Sequence, residues 1–277
     1  MSEGGRLAVC ATPIGNLSDI SDRLRSALSE ADLIYAEDTR RTGILLSHIG
    51  SSTPVRSLFA GNEKARTDEL VGNVVEGKSV ALVSDAGMPT VSDPGAEAVR
   101  RVRAAGKTVE VIPGPSAVTT AVALSGFGGD RFVFDGFLPR KGKERSVSLQ
   151  RLVGEDRMVV LFVSPNRLVG DLEDLVAYIG PDRQIAITRE LTKLHEEVWV
   201  GTVADAVEEW SGRTPKGEFT VVLGPGERDI VSLEDAMAEA RDLVDSGIAP
   251  SVAARQVAGA TGLSRRRIYE DLIARQD

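Results

Sequence analysis

The stretch Val80-Ala81-Leu82-Val83-Ser84-Asp85-Ala86-Gly87-Met88-Pro89-Thr90-Val91-Ser92-Asp93-Pro94-Gly95 decides the fold. Four consecutive apolar residues suit a strand covered on both faces, as in a parallel sheet, and Ser-Asp-Ala-Gly-Met-Pro then breaks it abruptly. The loop therefore lies at the carboxyl end of a strand, which is where ligands bind in open α/β sheets. Gly87 lets a ligand approach the backbone, while Pro89 and Pro94 stiffen the loop. Taken by itself, the stretch also reads as an ordinary strand-to-helix connection in which Asp93-Pro94-Gly95 opens the next helix.

Upstream, Leu7-Ala8-Val9-Cys10-Ala11 is a second buried-type strand, followed by the Pro/Gly-punctuated loop Thr12-Pro13-Ile14-Gly15-Asn16-Leu17. Ser18 or Asp19 is placed to cap a helix carrying Leu24, Ala27 and Leu28. The run Ala31-Asp32-Leu33-Ile34-Tyr35-Ala36 ends in Glu37-Asp38-Thr39-Arg40-Arg41, which is either a solvated ion-paired face or a functional cluster at a strand end. A helix over 66–77 returns the chain to the opening strand, and a helix over 96–105 ends at Gly106. Thr108-Val109-Glu110-Val111-Ile112 then leads into Pro113-Gly114-Pro115-Ser116-Ala117. Ser116 is placed to cap the helix Ala117–Ser125, whose free N–H groups suit a carboxylate or other polar ligand group. No Gly-x-Gly-x-x-Gly fingerprint or Walker lysine follows any strand, which argues against a standard dinucleotide site or P-loop.

With 277 residues, 42% hydrophobic and 27% charged, the composition is that of a soluble globular chain of about two domains with a cleft between them. No apolar run approaches the roughly 20 residues that span a bilayer, and the N-terminus lacks a secretory pattern, so a cytoplasmic protein without membrane contact is expected. One cysteine, Cys10, excludes an internal disulfide framework and reads as an inert core thiol. With His48 and His195 the only histidines, no metal site is assigned, although carboxylate-bound magnesium stays open. A net charge of −8 argues against indiscriminate nucleic-acid binding, but binding depends on local patches.

A boundary falls near Phe127-Gly128-Gly129-Asp130. Beyond it, Phe132-Val133-Phe134-Asp135-Gly136-Phe137 precedes a dense basic loop, Arg140-Lys141-Gly142-Lys143-Glu144-Arg145, which is either an RNA-phosphate patch or a solvated loop. Met158-Val159-Val160-Leu161-Phe162-Val163, Ile185-Ala186-Ile187-Thr188 and Phe219-Thr220-Val221-Val222-Leu223 predict a second, mixed sheet. Residues 226–231 read as a linker to an all-helical tail. Its helices over 251–259 and 264–274 have a helix-turn-helix layout, with Arg265, Arg266 and Arg267 opening the second. Those arginines sit poorly against the helix dipole, so they serve either phosphate contact or an amphipathic tail packed on the second domain. The expected domains are 1–126, 127–226 and 232–277.

In this order, Thr12-Pro13-Ile14-Gly15-Asn16-Leu17, Ala36-Glu37-Asp38-Thr39-Arg40, Ser84-Asp85-Ala86-Gly87-Met88-Pro89 with Ser92-Asp93-Pro94-Gly95, and Pro113-Gly114-Pro115-Ser116-Ala117 resemble the ribosomal RNA small subunit methyltransferase I family. So do Gly136-Phe137-Leu138-Pro139 with Lys141 and Arg145, and Arg189-Glu190-Leu191-Thr192-Lys193-Leu194-His195-Glu196-Glu197. The chain departs from the family pattern at Val163, where a glutamate more usually precedes the Ser-Pro pair.

The resemblance implies the tetrapyrrole-methylase fold: two α/β domains with S-adenosylmethionine in the cleft between them, plus the helical C-terminal tail, usually as a homodimer. It implies transfer of a methyl group to the ribose 2′-hydroxyl of a decoding-centre cytidine, cytidine 1402, in 16S rRNA of the 30S subunit. By position, Pro13, Ile14, Gly15, Asp85, Gly87, Met88, Val91, Ser116, Ala117, Phe162, Leu191 and Phe219 would surround the cofactor, with Gly114 also allowing close approach. A ribose hydroxyl needs a proton acceptor. Lys193, provided burial or cationic neighbours depress its pKa, and the carboxylates Glu37, Asp38, Asp85 and Glu190 are candidates, with Lys193 or Glu190 preferred as base and Asp38 with Arg40 positioning substrate. Arg140, Lys141, Lys143, Arg145 and the tail arginines would meet RNA phosphates. The alternatives are a same-fold methylase acting on a tetrapyrrole or on diphthamide, and a non-catalytic RNA- or ribosome-binding protein.

Overall fold

The apolar runs of the first half pair side by side in a computed structural model that describes residues 4–226, 233–261 and 263–274. Strands β1 (Arg6–Cys10), β2 (Leu33–Ala36), β3 (Val55–Ser57), β4 (Ser79–Val83) and β5 (Thr108–Ile112) form a parallel sheet in the order β3-β2-β4-β1-β5. Side chains alternate across it. Ala8, Cys10 and Ile34 meet Leu24 and Leu28 of α1 (Asp22–Glu30) and Leu45 and Leu46 of α2 (Thr39–Ile49). Leu7, Val9, Tyr35 and Leu82 meet Leu70 and Val74 of α3 (Glu63–Val75) and Ala98 and Val102 of α4 (Ala96–Ala104) on the other face. Because all five strands are parallel, the loops after β1, β2, β4 and β5 emerge at one edge. Cys10 is fully buried, and burial, followed by the charge of Glu110, pushes its thiol up to about 12, so it stays protonated and inert.

The second sheet is mixed. Strands β6 (Phe132–Phe137), β7 (Met158–Val163), β8 (Gln184–Arg189), β9 (Glu197–Thr202) and β10 (Phe219–Leu223) run in the order β6-β7-β10-β8-β9, with only β6 and β7 parallel. One face, with Val159, Leu161, Ile187 and Val221, packs on α6 (Gly142–Val153), α7 (Leu168–Ile179) and α8 (Val203–Ser211). The other face, with Met158, Val160, Ala186 and Val222, receives Val118 and Ala121 of α5 (Ala117–Ser125), together with Ile14 and Leu191. Helix α5 leaves the first sheet and packs beneath the second, so one apolar cluster joins the halves. Both sheets lie in one compact unit, Met1–Pro225, and the boundary expected at 126/127 falls between α5 and β6.

The second unit, Gly226–Asp277, contains α9 (Leu233–Asp245), α10 (Pro250–Thr261) and α11 (Arg265–Ile273) around Ala236, Ala240, Ala253, Ala254, Val257, Ile268 and Leu272. Ser264 accepts from the Arg267 N–H at the start of α11, Arg266 pairs with Glu270, and Arg265 and Arg267 are exposed. Most of the expected linker, 227–231, lies outside the described residues, as does Gly262 between the two predicted tail helices.

Two local expectations are corrected. The cap of α1 is Ser21, whose hydroxyl accepts from the Leu24 N–H, because Ser18 and Asp19 belong to a preceding 3-10 turn capped by Asn16. The basic segment is not one loop, since α6 begins at Gly142. Arg145 is thereby turned inward: it bonds Asp171 at 2.7 Å, Asp174 at 2.8 Å and the Pro139 carbonyl at 3.0 Å, with its side chain 11% exposed. Burial opposes its charge, but the two carboxylates outweigh that and hold its pKa above the ordinary value. Its charge is thus committed within the fold. Replacing Arg145 with Leu removes a charge partner from two carboxylates and is expected to lower unfolding stability by about 3 kcal/mol, measured by chemical denaturation.

Candidate active site

Three strand-end loops of the first sheet are tied together by main-chain and carboxylate bonds. Thr12 and Gly87 exchange N–H···O bonds of 2.9 and 3.1 Å, and the Thr12 hydroxyl donates to the Ser84 carbonyl at 3.2 Å. Gly87 has φ +79°, a left-handed conformation that residues with a Cβ rarely adopt. Asp85 reaches sideways: its Oδ1 accepts from the Asp38 N–H at 2.9 Å, and Arg41 lies 3.7 Å away. These bonds join the loops after β1, β2 and β4.

Facing them across the inter-sheet groove is the segment after β8. Lys193 Nζ donates to Glu190 at 2.8 Å and to Glu218 at 3.0 Å, while Glu190 also accepts from the Glu218 N–H at 2.9 Å. The lysine stem lies so close to Gly15 that an added Cβ would fall 2.4 Å from its Cγ. Thr90 and Ser92 on one side, and Glu190 and Thr192 on the other, carry positive φ, so both loops flanking the groove hold backbone strain.

Between these loops lies a cleft of about 380 Å³. Of the residues expected at the cofactor, Ile14, Asp85, Gly87, Met88, Val91, Ser116, Ala117, Phe162, Leu191 and Phe219 line it, joined by Glu37, Asp93, Phe137, Ser164 and Glu218. Pro13 instead borders a smaller neighbouring cavity with Leu17 and Ile44, and Gly15 seats the Lys193 stem. Gly114 makes its close approach to Ala11 of the β1 end rather than to the cleft: a Cβ there would lie 3.1 Å from the Ala11 Cβ. Ser116 stands at the N-cap of α5, but its side chain makes no capping bond.

The preferred catalytic residues lie outside this lining. Asp38 caps α2 by accepting from the Arg40 N–H at 2.8 Å and grips the Arg40 guanidinium at 3.1 and 2.7 Å, which brings its carboxyl down to about 2. For Lys193 the condition for a base fails. Burial works against the ammonium, but bonds to Glu190 and Glu218 outweigh it and raise the pKa, so the side chain stays charged and bonded. Burial likewise opposes the Glu190 carboxylate, yet Lys193 and the Glu218 N–H bring its pKa below the ordinary value.

The perturbed carboxylates that do line the cleft are Asp93 and Glu37. Burial, then the charges of Glu37 and Asp85, push Asp93 up to about 6 despite a bond from Ser84. Glu37 is also raised, by burial and then by Asp85. The sequence names Glu37 as one carboxylate among several, but Asp93 reads there only as a helix-opening residue. Its place between Ser92 and Pro94 on the decisive loop is the available signal. Glu218 and Phe137 are further lining residues that the motifs do not single out as cofactor contacts. Of the expected RNA contacts, Arg40, Arg140, Lys141 and Lys143 are exposed, whereas Arg145 is enclosed. Among the described residues no group of three or more His, Cys, Asp or Glu is arranged to hold a metal ion.

A parallel sheet and a mixed sheet joined by a crossing helix, with a cleft at the strand ends, define a class. The family described as Tetrapyrrole (Corrin/Porphyrin) Methylases matches residues 6–207. Among solved structures, the methyltransferase CobJ superposes with TM-score 0.61 at 21% identity, covering 81% of this chain and 96% of that one. Diphthine synthase does so with TM-score 0.61 at 19%, covering 79% and 89%. Proteins named ribosomal RNA small subunit methyltransferase I are 44% identical in Synechocystis, covering 96% of each chain, and 48% identical in Thermotoga maritima, covering 79% of this chain and 98% of that one. The relative of that name in Mycobacterium bovis is 42% identical, covering 97% and 95%. The chain belongs to the ribosomal RNA small subunit methyltransferase I family, within the tetrapyrrole methylases.

The raised pKa of Asp93 has a stability consequence. The fold favours the neutral carboxyl, so this contribution is complete below the ordinary carboxylate value near 4 and is lost as pH rises through about 6. Asp93→Asn, which is always neutral, is therefore expected to raise the melting temperature at pH 8 and to change it little at pH 4, as read by calorimetry at both pH values.

Proposed function

We propose that this protein uses S-adenosylmethionine to methylate the ribose 2′-hydroxyl of cytidine 1402 in 16S rRNA, acting on the 30S subunit in the cytoplasm as a homodimer. The observation that carries the reading is the cleft itself: an apolar wall of Ile14, Met88, Val91, Phe162, Leu191 and Phe219 meeting the carboxylates Glu37, Asp85 and Asp93. An adenosine ring suits the apolar wall, and a cation suits the acidic end. S-adenosylmethionine combines an adenosine, a sulfonium, an ammonium and a carboxylate; its cationic groups suit the acidic end and its carboxylate suits the α5 N-terminus at Ser116 and Ala117, so the residues present fit it. When bound, it supplies a methyl group already activated by the positive sulfur. The family names support RNA as acceptor, because those relatives are 38–48% identical. The tetrapyrrole and diphthine enzymes stand at 18–21%, so their substrates carry less weight.

In this reading the protein's own residues handle the proton. Asp93, with Glu37 beside it, accepts it at a carboxylate oxygen, and the raised pKa makes Asp93 a stronger base than an ordinary carboxylate while leaving it mostly ionised at neutral pH. Lys193, bonded to Glu190 and Glu218, fixes the loop that carries Leu191. Arg40, Arg140, Lys141 and Lys143 meet RNA phosphates as local positive charge on an acidic chain.

The test is to incubate the protein and labelled S-adenosylmethionine with unmodified 30S subunits and map ribose methylation; no 2′-O-methyl cytidine would sink the reading. Single-turnover rates should rise with pH through about 6 and then level, since the acceptor works only when ionised. Asp93→Asn should slow that step by roughly 100-fold or more, a usual scale for losing a general base. Lys193→Ala should slow it far less, and an equal loss in Lys193→Ala with subunit affinity intact would return the base to the lysine. Replacing Arg140, Lys141 and Lys143 with Gln should reduce the salt slope of subunit binding by roughly 0.7 to 0.9 for each phosphate no longer neutralised, measured by filter binding.

A further inference from the structure

Beside the cleft lies a second cavity of about 290 Å³, and the two share Phe137, Phe162 and Ser164 as a common wall. Its far side is formed by Arg140, Arg167 and Asp171. The chemistry of this wall is specific. Phe137 is an aromatic ring left 56% exposed at the junction and tilted against Phe162 at 5.6 Å between centroids, so a flat surface is presented with firm backing. Asp171 is only 5% exposed, and both bonds it accepts, from Arg145 at 2.7 Å and Arg167 at 3.1 Å, end on Oδ1. Arg167 also donates to the Arg140 carbonyl at 3.2 Å, which holds the Arg140 backbone at the rim, and the Arg140 guanidinium makes no ion pair among the described residues.

We propose that this side cavity is the nucleobase pocket of the RNA substrate, with a flipped-out cytosine stacked on Phe137, its exocyclic amine donating to Asp171 and an adjoining phosphate on Arg140. The inference rests on the rRNA reading above and adds the means of base choice. Enzymes that act on one nucleotide of a structured RNA take it out of the stack, and an aromatic face offsets part of the lost stacking. A carboxylate acceptor beside a guanidinium donor matches the edge of cytosine, which presents an amine donor next to the N3 acceptor. Uracil presents the reverse pair, so its O4 would face the Asp171 oxygen and leave both without a proton to share. With the base in this cavity, the shared wall puts the ribose at Ser164, where its hydroxyl turns toward the methyl-donor cleft and Asp93.

The test has two parts. In methylation of 30S subunits, Phe137→Leu should raise KM for the subunit about 10-fold or more, and Phe137→Tyr, which keeps the stacking face, should restore it. Arg140→Gln should raise KM with S-adenosylmethionine affinity unchanged by calorimetry. Independently of methyl transfer, cytidine 5′-monophosphate should bind more tightly than uridine 5′-monophosphate by NMR titration, and Asp171→Asn should abolish the difference while circular dichroism reports a folded chain. If Asp171→Asn fails to fold, the wild-type comparison decides. Equal binding of the two nucleotides, or an unchanged KM in Phe137→Leu, overturns the pocket even when subunits are methylated normally. Cytidine preference without any subunit methylation would leave the pocket standing and remove the rRNA reading instead.

Discussion

The reciprocal bonds between Thr12 and Gly87 are the constraint on which the site depends. A parallel sheet delivers its loops to one edge but does not bond them to one another, since ladder hydrogen bonding stops where the strands stop. Past that edge, two short main-chain bonds form an isolated antiparallel bridge between Thr12 and Gly87 and bring the Ile14 loop against the Asp85–Met88 loop. From there the consequences are mechanical. Asp85 is turned toward the β2 end, where it holds the Asp38 N–H, and Asp38 in turn starts α2. Ile14 is carried into the apolar cluster with Val118, Leu191 and Val222, so the same loop that shapes the cleft also joins the two sheets. A side chain at position 87 would have to adopt φ +79°, and the cost would be felt in both roles.

The strands and helices with unmixed patterns were legible. The spans of β5, α5, β6, β7 and β10 follow from runs of β-branched and apolar residues bounded by Gly, Pro or charge. Helix α2 and strand β3 were not, because Asp38-Thr39-Arg40-Arg41 reads as a charge cluster and the three residues of Val55–Ser57 carry no period. The lining of the cleft was legible through family resemblance, which is a property of motifs in order and needs no distances. Its electrostatics were not. Whether Lys193 is a base or a bonded cation depends on Glu190 and also on Glu218, a residue 25 positions away that no local pattern connects to it. The inward turn of Arg145 likewise depends on Asp171 and Asp174, which α7 brings across from outside the basic segment. Long-range pairing decides pKa and exposure, and sequence order conceals it. The positive φ of Thr90, Ser92, Glu190 and Thr192 is concealed for a related reason, since none of these residue types announces that conformation.

The two halves contribute unlike things to the cleft. The first sheet supplies its acids from two strand ends, Glu37 after β2 and Asp85 and Asp93 after β4. The second supplies ring and aliphatic surface, Phe137, Phe162, Leu191 and Phe219, with Glu218 as its acid. Val163 sharpens this division. It is 5% exposed and lines the cleft at the position where the family more usually has glutamate. A carboxylate there would add a further negative charge to a cleft whose Asp93 is already raised by burial and then by Glu37 and Asp85. With Val163 in place, Glu218 is the one carboxylate that the second half adds to the described lining.

That distribution matters for a chain of net charge −8 in a ribosomal RNA methyltransferase family, because RNA is a polyanion. In the reaction proposed above, negative charge beside the ribose hydroxyl takes a proton, but the same charge repels the phosphates on either side of it. The conflict is resolved by geometry. Glu37, Asp85 and Asp93 line the cleft, while Arg40, Arg140, Lys141 and Lys143 are exposed outside its lining. Screening acts over about 8 Å at physiological ionic strength, so in the proposed complex a phosphate beside an exposed cation feels that cation more than a carboxylate farther off. The ion pairs support this separation. Arg145, which the sequence alone offers as an RNA contact, and Lys193, which it offers as the base, instead pair with carboxylates of the second half.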